Sequence, residues 1–216
     1  MAVCLRLAGS RRRDEVLWFC GECRKDLGRS EQVQFDNARE LSSWGAAART
    51  LSRVIRLCLR FNVSPVFIPA GEPQFNGSVE NFNGWFQEPL FQRRFRRPGD
   101  LRRELTRLQE AVNTQHAHPR LGGKTPAQHR RGLRLQKLPV SFEVPTGKLP
   151  LAAGRVTFIR RVSVAGTVTV LSQSYRVGRR HRGLYLRLVV DTKRGWLTAY
   201  LNGRVLKRWP SKLLND

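Results

Sequence analysis

Apolar positions along the chain change their period, and each change marks an element. Val16, Cys20, Cys23 and Leu27 recur on one stripe, which predicts a helix capped by Asp14 and stopped by Gly28. A short β-like run, Gln32 to Phe35, leads into Asp36-Asn37. A helix from roughly Ala46 to Phe61 follows, with Leu51, Val54, Ile55 and Cys58 on one side and Asn62 as its stop. Val63 to Ile68 (VSPVFI) reads as a buried strand, in which Pro65 argues for a sheet edge or a strand start. The turn-forming stretch PAGEPQFNGS then opens into a helix carrying Glu80, Phe82, Trp85 and Phe86, which Pro89 must kink or end. From Gly99 to about Gln115 a further helix has Leu101, Leu105, Leu108 and Val112 inward and Arg102, Arg103 and Arg107 outward.

Residues 138–153 (LPVSFEVPTGKLPLAA) hold three prolines and no helical period, so they read as a linker. Beyond them the period falls to two. Val156 with Phe158, Val168 with Val170, Tyr175 with Val177, Leu184 through Val190, and Leu197 through Leu201 predict five short strands. Ala165-Gly166, Gly178, Asp191 to Gly195 and Asn202-Gly203 punctuate them, the last being the strongest hairpin signal. Five such strands suggest a small closed barrel. The expected division is therefore 1–137, a linker at 138–153, and a small basic β-barrel at 154–216.

Charge changes the picture. Lys and Arg number 40 against 16 Asp and Glu, a formal net charge of +24, which points to a polyanionic partner. The excess is uneven: residues 1–92 are net +2, residues 93–137 net +10 and residues 151–216 net +12. Polyanion affinity is thus expected in the C-terminal half, and Arg outnumbers Lys there, as suits phosphate recognition by a planar fork of donors. The candidate DNA contacts are Arg93, Arg94, Arg96 and Arg97, followed by Arg160, Arg161, Arg179, Arg180 and Arg182 on the barrel. Trp196 and Trp209 read as barrel packing rather than base-stacking platforms. No run of 18 apolar residues spans a bilayer, and the N-terminal arginines follow a short apolar run, the reverse of a secretory signal. A cytoplasmic home is expected, with Cys4, Cys20, Cys23 and Cys58 reduced. Cys20-x-x-Cys23 falls on the first helix's apolar stripe, and the histidines lie far away, so core packing is preferred to half a zinc site.

Two carboxylates remain. Asp36 follows a strand and Glu80 sits in the first turns of a helix after the next strand; such positions converge at the C-terminal edge of a parallel pair. Paired carboxylates there are hard ligands for Mg²⁺ and serve two-metal phosphoryl transfer. Taken singly, Asp36 is a turn residue and Glu80 a solvated helix residue.

The motifs carry a resemblance. QFDNARE followed by VSPVFIPAGEPQFNGSVENFNGWF resembles the second half of the Asp-Asp-Glu integrase core of bacterial insertion-sequence transposases and retroviral integrases, and HPRLGGKTPAQ is similar to a segment near that core's end. The final strands resemble the DNA-binding barrel of Mu-type transposases. The resemblance implies an α/β ribonuclease H-like core followed by a small all-β barrel, with Asp36 and Glu80 as the second and third catalytic acids and Mg²⁺ ligands. It implies DNA integration and transposition, in a bacterial cytoplasm with the protein on the nucleoid when bound to DNA. The family's first Asp lies on strands preceding the first helix, where only thirteen residues stand here. Asp14 and Asp26 are unsuited to its place, and Ala2 to Leu7 (AVCLRL) is a candidate replacement strand without an acid. The expectation is an N-terminally truncated core, its first strands missing and its sheet edges open, binding Mg²⁺ weakly or not at all and catalytically impaired. DNA is the expected partner, with a second copy or an intact transposase beside it. The alternative is a non-enzymatic DNA- or RNA-binding module that regulates an intact relative.

Overall fold

The computed structural model describes residues 2–10, 12–36, 50–69, 71–72, 75 and 77–211. The first four positions of the helix expected from Ala46, together with Asn37, Pro73, Gln74 and Asn76 of the two motifs, lie outside the described residues. The chain divides into two compact units, each discontinuous in sequence: residues 1–29 with 78–144, and residues 30–77 with 145–216.

The first unit is helical. Helix α1, Arg13–Leu27, begins one residue before Asp14, so Asp14 stands in its first turn, where a carboxylate favours the helix dipole, and is not the cap. Gly28 ends it with φ 76°, its N–H donating to Arg24 O at 3.1 Å. Helix α3, Gly77–Phe91, runs two residues past Pro89 before ending. Helix α4, Pro98–Thr114, buries Leu105 and Val112 and exposes Arg102, Arg103 and Arg107, as the sequence pattern requires. Thr125 caps the short α5, Pro126–Arg130, by a reciprocal exchange with Gln128.

Residues 2–7 do not form the replacement strand. They run extended along α4, where Asn113 exchanges two 2.8 Å hydrogen bonds with the Val3 backbone and Gln109 accepts from Leu5 N at 2.7 Å. The match is geometric. Two extended residues advance about 6.6 Å and one i,i+4 helical step about 6 Å, so alternate backbone groups meet successive side-chain amides.

The second unit is built on a six-stranded mixed sheet of order β1-β2-β3-β6-β7-β8. Strand β1 (Gln32–Phe35), helix α2 (Arg53–Arg60) and strand β2 (Ser64–Phe67) form a parallel βαβ unit. The helix starts at Arg53 because Ser52 accepts from Ile55 N at 3.3 Å and thereby caps it; residues 50–52 are not helical. Asn62 stops it as expected, at φ 54°, with Asn62 N–H bonded to Leu59 O and Val63 N–H to Cys58 O. Pro65 sits at a strand start: β2 pairs with β3 only from Val66 onward, so its missing N–H interrupts no ladder on that side.

Strands β3 (Arg155–Arg161), β6 (Tyr185–Asp191), β7 (Trp196–Leu201) and β8 (Arg204–Pro210) continue the sheet antiparallel to one another, while β4 (Thr167–Val170) and β5 (Gln173–Arg176) form a separate hairpin. The five expected strands are thus six, and among the described residues they do not close into a barrel. One strand, β3, continues the sheet of β1 and β2, because Val66 and Phe67 pair with Thr157 and Phe158. The edge and apolar face of β2, expected to stand open, are therefore covered: Phe67 is fully buried and stacks on Phe158 at 5.2 Å. One core joins Ile55 and Leu59 of α2 to Val156, Phe158, Leu188 and the hairpin's Val168 and Val170.

Candidate functional site

Asp36 belongs to the sheet unit, immediately after the C-terminal end of β1, and is exposed. Glu80 belongs to the helical unit, in the first turn of α3, and is exposed too. Each thus stands at the kind of position its pattern predicted, at a strand's end and at a helix's start. A hard divalent cation asks for several oxygen donors. Among the described residues no group of three or more His, Cys, Asp or Glu side chains gathers that could hold one, so this donor set does not fit a two-metal phosphoryl-transfer centre.

Two described residues of the Gly-Glu-Pro-Gln-Phe-Asn-Gly motif, Glu72 and Phe75, are fastened to the sheet. Gln34 of β1 donates to Phe75 O at 2.7 Å, the Phe75 ring meets Tyr185 edge-on at 5.7 Å, and the Tyr185 hydroxyl donates to Glu72. That carboxylate pushes the Tyr185 pKa up, since losing the phenolic proton would lose the bond. Glu72 and Phe75 are thereby tied to β1 and β6. The sequence singles out neither role, because their partners lie 41 and 113 residues away.

The nine arginines expected to contact DNA fall in different settings. Arg94, Arg96 and Arg97 are exposed in the helical unit, and Arg93 pairs with Glu104 at 2.5 Å. Arg161, Arg179, Arg180 and Arg182 are exposed in the sheet unit. Arg160 is half-buried against Phe158 and donates to Ile68 O and Ile159 O. Burial pushes its pKa down to about 10, which still leaves it charged at neutral pH, but its Nη1 is engaged by the protein's own carbonyls.

The cysteines follow the packing expectation in part. Cys58 is buried in α2, whereas Cys4, Cys20 and Cys23 are half-buried free thiols in the helical unit. Burial raises the Cys20 pKa to about 11, and a hydrogen bond with Cys4 pushes Cys23 up and Cys4 down. Neither Cys20 nor Cys23 is poised as a thiolate nucleophile.

A cleft of about 320 Å³ opens on the face of the sheet opposite the core, lined by Arg155, Arg187, Arg194, Arg208, Trp196 and Tyr200 among others. None of the nine expected arginines lines it. The two tryptophans separate here: Trp209 packs against the core beside Tyr175, at 5.3 Å, while Trp196 is 39% exposed in the cleft. Period two was the available signal, because Arg155, Arg187, Trp196 and Tyr200 occupy the alternate positions left over from the buried set.

Residues 62–126 match the family model of the integrase core domain. The matched segment is under a third of the chain; it runs from the end of α2 through β2, the motif loop, Glu80, α3 and α4, and stops at the Lys-Thr-Pro step before α5. It supports an integrase- or transposase-type core there, of the ribonuclease H-like α/β class, with DNA as the partner and a divalent metal as the cofactor typical of such cores. No match to the chain was found among the curated proteins compared with it. Among the described residues no helix is long and apolar enough to cross a membrane.

Proposed function

We propose that this chain is a transposase- or integrase-like protein of DNA integration and transposition that grips DNA through its basic C-terminal half and is catalytically impaired. The observation that carries the reading is the integrase-core match over residues 62–126, in which Glu80 stands in the first turn of helix α3. Asp36 and Glu80 are the second and third acids of the triad. Among the described residues no strand before β1 supplies a first acid, and two carboxylates bind Mg²⁺ too weakly to support phosphoryl transfer. On this reading residues 1–137 are the core-derived part, residues 138–153 a connector, and residues 154–216 the DNA-binding part, with the arginines at 93, 94, 96, 97, 160, 161, 179, 180 and 182 contributing phosphate contacts or charge. The protein works in the bacterial cytoplasm on nucleoid DNA, with a second copy or an intact transposase as its protein partner.

The test uses a labelled duplex with Mg²⁺ or Mn²⁺. The expected outcome is binding without cleavage, with affinity falling steeply from low to physiological salt as phosphate-bound counterions are displaced. Strand cleavage that disappears in Glu80→Gln overturns the impairment. Affinity that is flat across the salt series overturns DNA binding by the basic half.

A further inference from the structure

The register of the sheet builds a trough on its outer face. Arg155, Asp191 and Trp196 lie side by side across β3, β6 and β7, and four residues along the strands Ile159, Arg187 and Tyr200 form a second row. Between them runs a row of shorter side chains, Thr157, Val189 and Thr198, which continues to Arg208 on β8. Two ridges rich in long, cationic and aromatic side chains thus flank a low floor, and the trough runs across the strands. The ridges stand about 13 Å apart at the backbone, four residues of strand rise.

Its chemistry is that of a polynucleotide strand. Four guanidinium groups face one carboxylate in the cleft, and that carboxylate is engaged in holding the turn: Asp191 accepts from Lys193 N at 3.1 Å and Arg194 N at 2.9 Å, with Arg155 at 3.8 Å. The Arg187 guanidinium carbon lies over the Tyr200 ring at 4.6 Å, a cation–π contact that positions it on its ridge. Trp196, exposed on the opposite ridge, offers a stacking surface. Duplex DNA fits this surface poorly, because a major groove about 12 Å wide admits a helix or a two-stranded ribbon, not the face of a six-stranded sheet. Exposed aromatic and guanidinium planes in a basic channel are what unpaired bases and their phosphates use.

We propose that this outer-face trough binds single-stranded DNA: Trp196 stacks a base, Arg187, positioned by Tyr200, takes the next base or its phosphate, and Arg155, Arg194 and Arg208 contact the backbone. The proposal rests on the DNA-binding reading above and adds the strand form and the residues. It places the single strand at the end of the sheet opposite Asp36, since Gln32 and Ser64, at the starts of β1 and β2, line the same cleft.

Fluorescence anisotropy of the full chain with labelled oligothymidylate, oligouridylate and a mixed-sequence duplex tests it, alongside quenching of tryptophan emission. Oligothymidylate is expected to bind at least as tightly as the duplex. Trp196→Ala is expected to weaken it about ten-fold, Arg187→Gln several-fold, and Arg102→Gln, a charge control on the outer face of α4, hardly at all. Trp196→Phe keeps the affinity but removes part of the quenching, which separates stacking from a folding defect. Wild-type single-strand affinity in both Trp196→Ala and Arg187→Gln overturns the trough while leaving salt-dependent duplex binding, and so the broader reading, intact. Duplex binding that is tighter than single-strand binding and equally sensitive to these variants assigns the face to duplex and overturns the single-strand form, as tighter oligouridylate binding overturns DNA. Absence of binding to all three probes overturns both readings.

Discussion

Asn202 and Gly203 turn the chain from β7 to β8 with φ 49° and 80°, the left-handed pair that a two-residue hairpin demands and that Asn-Gly announces. Leu171 and Ser172 do the same between β4 and β5 with φ 50° and 59°, although neither residue favours that region. Packing makes the difference: Leu171 lies against the core, so burial offsets its backbone strain. Gly166 is demanding in another way. Its φ is 76°, and a Cβ there would meet the backbone of Gly178 and Arg179 at 2.5 Å, where no flexible side chain can give way. Gly166→Ala is therefore expected to destabilise the protein by about 2–4 kcal/mol, read as a lowered urea midpoint at unchanged slope. Arg56 shows a residue whose role a pattern does not disclose. It is only 5% exposed, donating to Leu51 O and Leu149 O at 3.1 Å each, so a charged side chain on α2 ties the proline-rich connector to the sheet unit.

At the level of elements, α4 illustrates how much periodicity delivers. Its extent, its buried stripe and its exposed arginines all follow from Leu and Arg spacing. Its electrostatics depend on a neighbour as well: Glu104 accepts from Arg107 one turn along the helix, at 2.7 and 3.0 Å, and from Arg93 beyond its N-terminus, at 2.5 Å. These guanidinium groups, Arg107 foremost, hold the Glu104 carboxyl below its usual range. A carboxylate with a depressed folded pKa contributes stability above its unfolded value of about 4.3, and that contribution is lost as pH falls through the lower folded value. Glu104→Gln is expected to lower Tm slightly at pH 6 and to narrow the drop in Tm between pH 6 and pH 3, as followed by circular dichroism. The strand β8 is not legible in the sequence, because its residues are mostly exposed and its Arg204, Lys207 and Arg208 break the apolar alternation. As an edge strand it needs no apolar alternation, and its Lys and Arg discourage pairing with another chain.

Across the whole molecule, the sheet unit joins segments that a reading along the chain assigns to different parts. Phe35, Phe67 and Phe158 form a continuous aromatic row from β1 to β3, tilted at 5.7 Å in the first pair and stacked at 5.2 Å in the second. Phe67→Ala is expected to cost about 3–5 kcal/mol and to disturb the Tyr175–Trp209 environment in the same unfolding transition, as near-ultraviolet circular dichroism reads it. Two separate transitions would show that the shared core is not cooperative. The parallel βαβ unit and the strand-end position of Asp36 were readable from Gln32 to Glu80, and the resemblance that the match over residues 62–126 supports was readable from motifs in and near that span, because strand and helix periods, turn residues and a specific motif agree. Charge was readable too, as a basic excess in the C-terminal half, since it depends on composition alone. Which strand would cover β2 depended on register between residues ninety or more positions apart, and which arginines would face a common trough and which tryptophan would be exposed depended on how β3, β6, β7 and β8 pair. A period of two separates the faces of a strand but does not name its neighbour. That choice is made by tertiary packing, here by Phe158 stacking on Phe67, and it turns an expected barrel into an open sheet with a basic outer face.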